Sequence, residues 1–257
     1  GGSYAHSMGI VEGGSLALLA GAGPMGLGAI DYAVHNPRRP SRLVVTDIDD
    51  ARLARAARLL PVKEAEKNGV ELIYANTGKT SDSQEYLKSL NGGKLYDDVF
   101  VFTPVRQVVE TGGRLLSKDG CLNFFAGPVD PAFSAEFNFY NVHYESHHIV
   151  GTSGGNTDDM REALSMMAKG ELNPVFMITH IGGLDSCVKT TLNLNAIPGG
   201  KKLIYTHKKM ELTAIDDFAE KGKNEPFFAK LGKICTRHHG LWNVEAERYL
   251  LENAPEI

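Results

Sequence analysis

The sequence predicts an α/β fold, a doubly wound parallel sheet with helices on both faces. Three observations predict it. Short apolar runs alternate with helix-compatible stretches along most of the chain. A Gly-x-Gly-x-x-Gly motif (glycines 21, 23 and 26) stands between the first such run and the first helical stretch. An acidic residue, Asp47, closes the next run.

Residues 15–20 form an apolar run flanked by glycines, the pattern of a central strand buried on both faces. The glycine motif follows. Residues 27–35 continue with helix-compatible side chains until Pro37 and Pro40 stop them. Residues 42–47 read as the second strand. Asp49 or Asp50 caps a helix in which Ala51, Leu53, Ala54, Ala57 and Leu60 recur at helical spacing, and Pro61 ends it.

Residues 71–75 read as a third strand, 83–90 as a helix and 97–102 as a fourth strand. Pro104 is expected in the first turn of the next helix, where proline is favoured, with Val105, Val108 and Val109 as its apolar stripe. Residues 120–126 read as a fifth strand and 127–145 as an irregular, aromatic-rich insertion. Residues 149–152 end a sixth strand, and 157–169 form another helix. The pattern weakens after about residue 180, leaving one more strand at 199–205 and a terminal helix at 241–252. Two domains are expected: a Rossmann domain over 1–180 and a C-terminal segment over 181–257.

Composition narrows the function classes. At 257 residues the chain is long enough for a sizeable core. Its formal net charge is −4, and no Lys/Arg cluster dominates any segment, so nucleic acid is not an expected partner. No apolar run approaches the roughly 18 residues of a membrane span. The start lacks the basic and apolar regions of a secretory signal. Three cysteines, Cys121, Cys187 and Cys235, are too few and too far apart for a disulfide framework, which points to a reducing cytoplasm.

The glycine motif gains weight from its context, because 28 glycines produce such spacings by chance. Gly21 allows the tight turn, Gly23 lets the backbone approach a pyrophosphate, and Gly26 lets helix and strand pack closely. Pro24 and Met25 open the helix, whose N-terminal N–H groups and partial positive charge suit phosphates. Asp47 follows at close to the roughly 20-residue spacing of the carboxylate that binds the adenosine ribose, which favours NAD over NADP. Ile48 adjoins it. Arg52, one turn into the next helix, reaches the same ribose and keeps NADP open.

Ligands of open parallel sheets lie beyond the carboxyl ends of the strands. That rule nominates Thr103, Pro104 and Val105 after the fourth strand, Ala126 and Gly127 after the fifth, and Thr152, Ser153 and Gly154 after the sixth.

The stretch from Gly21 to Gly26, followed by Val44-Val45-Thr46-Asp47, is similar to the coenzyme domain of the zinc-type medium-chain alcohol and polyol dehydrogenases. Residues 96–102, 123–127 and 197–205 resemble the L-sorbose 1-phosphate reductase branch of that family. The resemblance implies hydride transfer between a nicotinamide and a polyol, ketose or sugar phosphate, zinc that polarises the reacting oxygen, and a homodimer. Family members carry a zinc-binding Cys and a Gly-His-Glu segment before the Rossmann unit. Here the glycine motif begins at residue 21 and no Gly-His-Glu occurs. The expectation is a chain that binds cofactor, holds no zinc ligands, and leaves dehydrogenase activity to the intact parent, with the C-terminal segment a remnant of the catalytic lobe.

Other clusters carry less. Adjacent His147 and His148 on a strand point to opposite faces. Cys235, His238 and His239 offer three ligands at a spacing that fits no common zinc module. His180, Lys201, Lys202 and His207 are read as solvated surface in preference to a sugar-phosphate contact. Two other functions fit the residues: a methyltransferase, which also uses a glycine-rich first loop and an acidic residue after its second strand, and a nucleotide-sensing module without chemistry.

Overall fold

In the computed structural model, which describes residues 9–151 and 153–257, the apolar runs become one parallel sheet. The chain runs through β1 (Ser15–Leu19), α1 (Pro24–His35), β2 (Arg42–Asp47), α2 (Asp50–Leu59), α3 (Val62–Lys67), β3 (Glu71–Asn76) and α4 (Ser83–Leu90). It continues through β4 (Tyr96–Val101), α5 (Arg106–Arg114), β5 (Leu116–Phe124), α6 (Phe139–Tyr144), β6 (His148–Val150) and α7 (Thr157–Lys169).

The six strands lie in the order β3-β2-β1-β4-β5-β6, every pairing parallel. The strand order reverses between β1 and β4, and ligands of such sheets bind at that switch point. Ala17, Leu19, Val44, Val99, Val101 and Leu122 bury one face together with Leu87 of α4 and Val109 of α5. The alternate residues Leu16, Leu18, Leu43 and Val45 point the other way and are fully buried too, as are Leu27, Ile30 and Val34 of α1. Burial of both faces explains why these strands read as continuous apolar runs.

Several boundaries move for physical reasons. The first helix begins at Pro24, three residues before the expected start, because proline at the first position gives up an N–H that has no intrahelical partner. Pro104 falls outside its helix: Val105 is extended (φ −100°, ψ 115°) and α5 starts at Arg106. The fifth strand begins at Leu116. Its polar Ser117-Lys118-Asp119 run hides the start, and the register shifts there around Asp119, whose φ is +61°. Pro61 both ends α2 and precedes α3, and Asn138 caps α6 inside the stretch expected to be irregular.

The chain separates into two compact units, the first ending at Asn173 and the second spanning Pro174–Ile257. The division falls before the expected position near 180. The second unit has its own mixed sheet, with β7 (Ile178–Gly183) between parallel β8 (Lys201–Tyr205) and antiparallel β9 (Thr213–Ala214). Helices α8 (Cys187–Leu192), α9 (Phe218–Lys221), α10 (Pro226–Arg237) and α11 (Val244–Asn253) complete it. Ile181, Phe218, Phe228, Leu231, Ile234, Trp242 and Leu250 form its core. Its two-residue strand and four-residue helix are too short to show periodicity, whereas the six-residue β7 and the twelve-residue α10 are long enough and are missed by the sequence reading. Among the described residues, no helix is long and apolar enough to cross a membrane.

Candidate functional site

The three motif glycines do three different things. A Cβ on Gly21 would press on the Leu18 side chain at 2.6 Å and its carbonyl oxygen at 3.0 Å. A Cβ on Gly26 would collide with the backbone of Gly21. These two glycines let α1 pack onto the end of β1. Gly23 differs: a Cβ there meets nothing within 4 Å, so this side of the turn is open. Gly23 is also the N-cap of α1, and it supplies no side-chain cap. Nor does the first turn contain an acidic residue. The twelve-residue helix therefore presents its positive end to an open space.

The turn is fastened to β2. The Gly21 amide donates to the Thr46 carbonyl (2.8 Å), and the Ala20 amide donates to the Thr46 hydroxyl (3.3 Å). The next residue, Asp47, is 4% exposed. Its Oδ1 accepts from the Ile48 amide (2.9 Å) and the Asp49 amide (3.2 Å). Its Oδ2 is buried and meets no hydrogen-bond partner among the described residues. A buried carboxylate oxygen without a donor is costly, and such atoms mark places where a ligand or an ordered water supplies the missing bond. The cradle and the orphaned oxygen together fit a diphosphate joined to a ribose.

Large apolar side chains stay exposed along the same carboxyl edge. Ile48 after β2 is 76% exposed, Val105 after β4 is 48% and Phe125 after β5 is 46%, with Met25 of α1 also exposed. Exposed apolar surface beside a polar cradle is what flat heteroaromatic rings need. Thr103 is half-buried and Pro104 exposed. Ala126 is half-buried, with its amide on the Val101 carbonyl (3.2 Å). Gly127 and Gly154 face open space and Ser153 is exposed. Thr152 lies outside the described residues. Arg52 is exposed, its Nε 3.7 Å from Asp49 Oδ2, and Asp49 is the residue that caps α2.

Sequence reasoning missed three residues at the end of β3. Asn76 lies in register with Asp47, and its Nδ2 donates to the Ile48 carbonyl (3.2 Å) and to Asp50 Oδ1 (2.7 Å). Gly78 packs on Ile48. Lys79 pairs with Asp50 at 2.7 Å. The strand-end rule, applied to the third strand as to the others, finds all three. It also finds Phe125, which stacks obliquely on Phe102 with centroids 5.2 Å apart.

Recesses also lie elsewhere. One of about 730 Å³ opens at the amino ends of the strands, lined by Ser15, Arg42, Glu71, Asp97 and Ser117. There Arg42 is matched to Glu71 at 2.6 Å and Asp97 to the Ser15 amide at 2.7 Å. Another, of about 400 Å³, lies in the second unit beside His180, Asp185, Lys189, Glu211 and Asp217, where acids outnumber bases. Burial and the Lys202 charge lower the His180 pKa. Lys202 itself caps a turn, donating to the carbonyls of Ile197, Pro198 and Gly200. Lys201 and His207 are exposed.

No group of three or more His, Cys, Asp or Glu among the described residues has the arrangement of a metal site. His148 turns to Asp119 (2.8 Å) and His238 to Glu245 (3.5 Å). Cys235 is buried, and burial pushes its thiol up to about 11. These residues do not fit zinc.

Comparison with known proteins shows the family. The family model of zinc-binding dehydrogenases matches residues 24–169. The chain is 58% identical to mannitol-1-phosphate 5-dehydrogenase of Aliivibrio fischeri over 249 residues, covering 97% of this chain and 59% of that protein. It is 47% identical to L-sorbose 1-phosphate reductase of Klebsiella pneumoniae over 256 residues, again covering 59% of the relative. The chain thus spans about three-fifths of the length of these curated relatives. Among solved structures, a short chain alcohol dehydrogenase of E. coli, complexed with NADH, superposes with a TM-score of 0.57 at 16% identity, covering 76% of this chain and 52% of that one. With more than half its length matched by the family model, the chain belongs to the zinc-binding dehydrogenases.

Proposed function

We propose that this chain is the dinucleotide-binding part of a nicotinamide-dependent oxidoreductase that acts on a polyol, a ketose or a sugar phosphate. The observation that carries the reading is the pairing of an open, uncapped helix start at Gly23 with the partnerless buried oxygen of Asp47. The N–H groups of the first α1 turn hold the diphosphate charge. Asp47 Oδ2 accepts from a ribose hydroxyl, which favours NAD over NADP. Ile48 and Val105 offer apolar surface to the adenine. Ala126, Gly127, Ser153 and Gly154 leave room beside the nicotinamide half. When bound, the nicotinamide supplies hydride exchange at its C4. No zinc ligand is assigned to this chain.

The substrate class is supported by the names of the two curated relatives, mannitol-1-phosphate 5-dehydrogenase and L-sorbose 1-phosphate reductase. A cytoplasmic setting fits three free thiols. A homodimer has an open sheet edge available at β6, where Ile149 is exposed. The second unit, Pro174–Ile257, is read as the returning part of the catalytic lobe.

Isothermal titration calorimetry of the chain with NADH, NADPH and S-adenosylmethionine tests the reading. Saturable binding of NADH is expected. Binding of S-adenosylmethionine alone overturns the reading in favour of a methyltransferase. For the whole protein, turnover of mannitol 1-phosphate or L-sorbose 1-phosphate is expected, and nucleotide binding without turnover of any polyol, ketose or sugar phosphate leaves a sensor.

A further inference from the structure

We propose that the Asp50–Lys79 ion pair sets which adenosine ribose the crevice accepts, by holding a lysine from the end of β3 in check. The inference rests on the dinucleotide reading above and adds a selectivity device to it.

Five charged side chains stand where β2 and β3 end: Asp47, Asp49, Asp50, Arg52 and Lys79. Both cations are matched. Lys79 Nζ lies 2.7 Å from Asp50 Oδ2, and Arg52 Nε lies 3.7 Å from Asp49 Oδ2. Among the described residues, Asp47 pairs with no cation: two backbone amides meet one oxygen and no hydrogen bond reaches the other. Three acids and two bases leave this lip with a net negative charge, which disfavours the dianion of a 2′-phosphate.

The pair is built in. Asn76, in register with Asp47, donates to Asp50 Oδ1 (2.7 Å) and to the Ile48 carbonyl (3.2 Å), tying the start of α2 to the end of β3. The Gly78 amide returns to Asn76 Oδ1 (2.8 Å), and Lys79 follows directly. Lys79 and Asn76 hold the Asp50 carboxyl below the usual carboxylate range, so the acid is charged at neutral pH. A lysine ammonium is a point charge on a flexible four-carbon stem. Released from Asp50, it is free to meet a phosphate on the neighbouring ribose.

The test is calorimetry of the full chain with NADH and NADPH, for wild type, Asp50→Asn and the double variant Asp50→Asn/Lys79→Gln. Circular dichroism checks that each variant is folded. The NADPH-to-NADH affinity ratio is expected to rise about tenfold in Asp50→Asn, to shrink with added salt, and to return to the wild-type ratio in the double variant. An unchanged ratio in Asp50→Asn overturns the inference while leaving NADH binding intact. A rise that persists in the double variant also overturns it, because Lys79 is then not the agent. If wild type binds neither dinucleotide, the underlying reading fails and takes this inference with it.

Discussion

The Thr46 hydroxyl accepts from the Ala20 amide and donates to the Leu18 carbonyl, each at 3.3 Å. Ala20 needs this support. Its φ is +55°, a left-handed conformation that costs a non-glycine residue roughly 1–2 kcal/mol. The buried hydroxyl of β2 thus pins the residue that leads β1 into the glycine turn. Thr46→Val keeps the shape and removes both bonds. It is expected to lower stability by about 1–2 kcal/mol in urea melts and to weaken NADH binding several-fold. Thr46→Ser is expected to restore affinity. A Thr46→Val protein that binds NADH like wild type would show that the clamp serves folding alone.

Gly23 and Gly26 separate binding from stability. Gly26→Ala drives a methyl into the Gly21 backbone, so a loss of about 2–4 kcal/mol or failure to fold is expected. Gly23→Ala meets no neighbour, and its φ of −76° suits alanine. Its melting point is expected within a few degrees of wild type, because ΔΔG stays below about 1 kcal/mol. Its affinity for NADH is expected to fall about tenfold or more, since the methyl occupies the space reserved for the diphosphate. Equal affinities for Gly23→Ala and wild type would place the diphosphate elsewhere.

The first unit was legible in the sequence because its strands are buried on both faces and its turns carry Gly, Pro or Asp. The helices over 83–90 and 157–169 and the strand over 42–47 match the sequence reading residue for residue. Where backbone strain and charge interrupt a pattern, the reading slips, as at Asp119 in β5, and it also slips where Val105 stays extended and delays α5 to Arg106. Glycine roles follow from spacing, but the orphaned Asp47 oxygen and the Asn76–Asp50–Lys79 link depend on residues brought together from different strands. Only the fold places Lys79 beside Asp50. In the second unit, the two-residue β9 and the four-residue α9 leave no period to read, while α10, with Phe228, Leu231, Ile234 and Cys235 buried at helical spacing, was legible and was missed.

Asp31 gives a pH signature. It sits on α1 at 2% exposure and accepts from the Asn173 amide at 2.5 Å, with His35 Nδ1 2.9 Å away. Burial raises its pKa, and the Asn173 bond and His35 only partly offset this, while Glu64 adds to the rise. The folded chain therefore holds this proton more tightly than the unfolded chain. Between the unfolded and folded pKa values the native state binds more protons, so this group's contribution to stability falls as pH rises. Asp31→Asn keeps an acceptor for Asn173 and removes the titration. The stability of wild type minus that of Asp31→Asn, from urea melts, is expected to decline as pH rises above the ordinary carboxylate range. Other acids, such as Glu211, have lowered values and act in the opposite sense, but they cancel in the difference. A difference that is flat with pH would mean that Asp31 does not titrate in this range.

The cysteines test the absence of a zinc ligand set without any assay of turnover. Cys121 and Cys235 are buried, and burial is the leading cause that pushes both thiols up to about 11. Cys187 is half-buried at the start of α8. At pH 8 a disulfide reagent such as Ellman's is therefore expected to modify one thiol per chain quickly and the other two only on the timescale of unfolding. A metal held by Cys235 with His238 and His239 would hold that sulfur as a thiolate and block its labelling. It would also need His238 to leave Glu245, with which it shares Arg237 as a neighbour. Zinc at a few molar equivalents is accordingly expected to leave both the count and the rates unchanged. Fast labelling of Cys235 that zinc suppresses would show that α10 opens to bind metal.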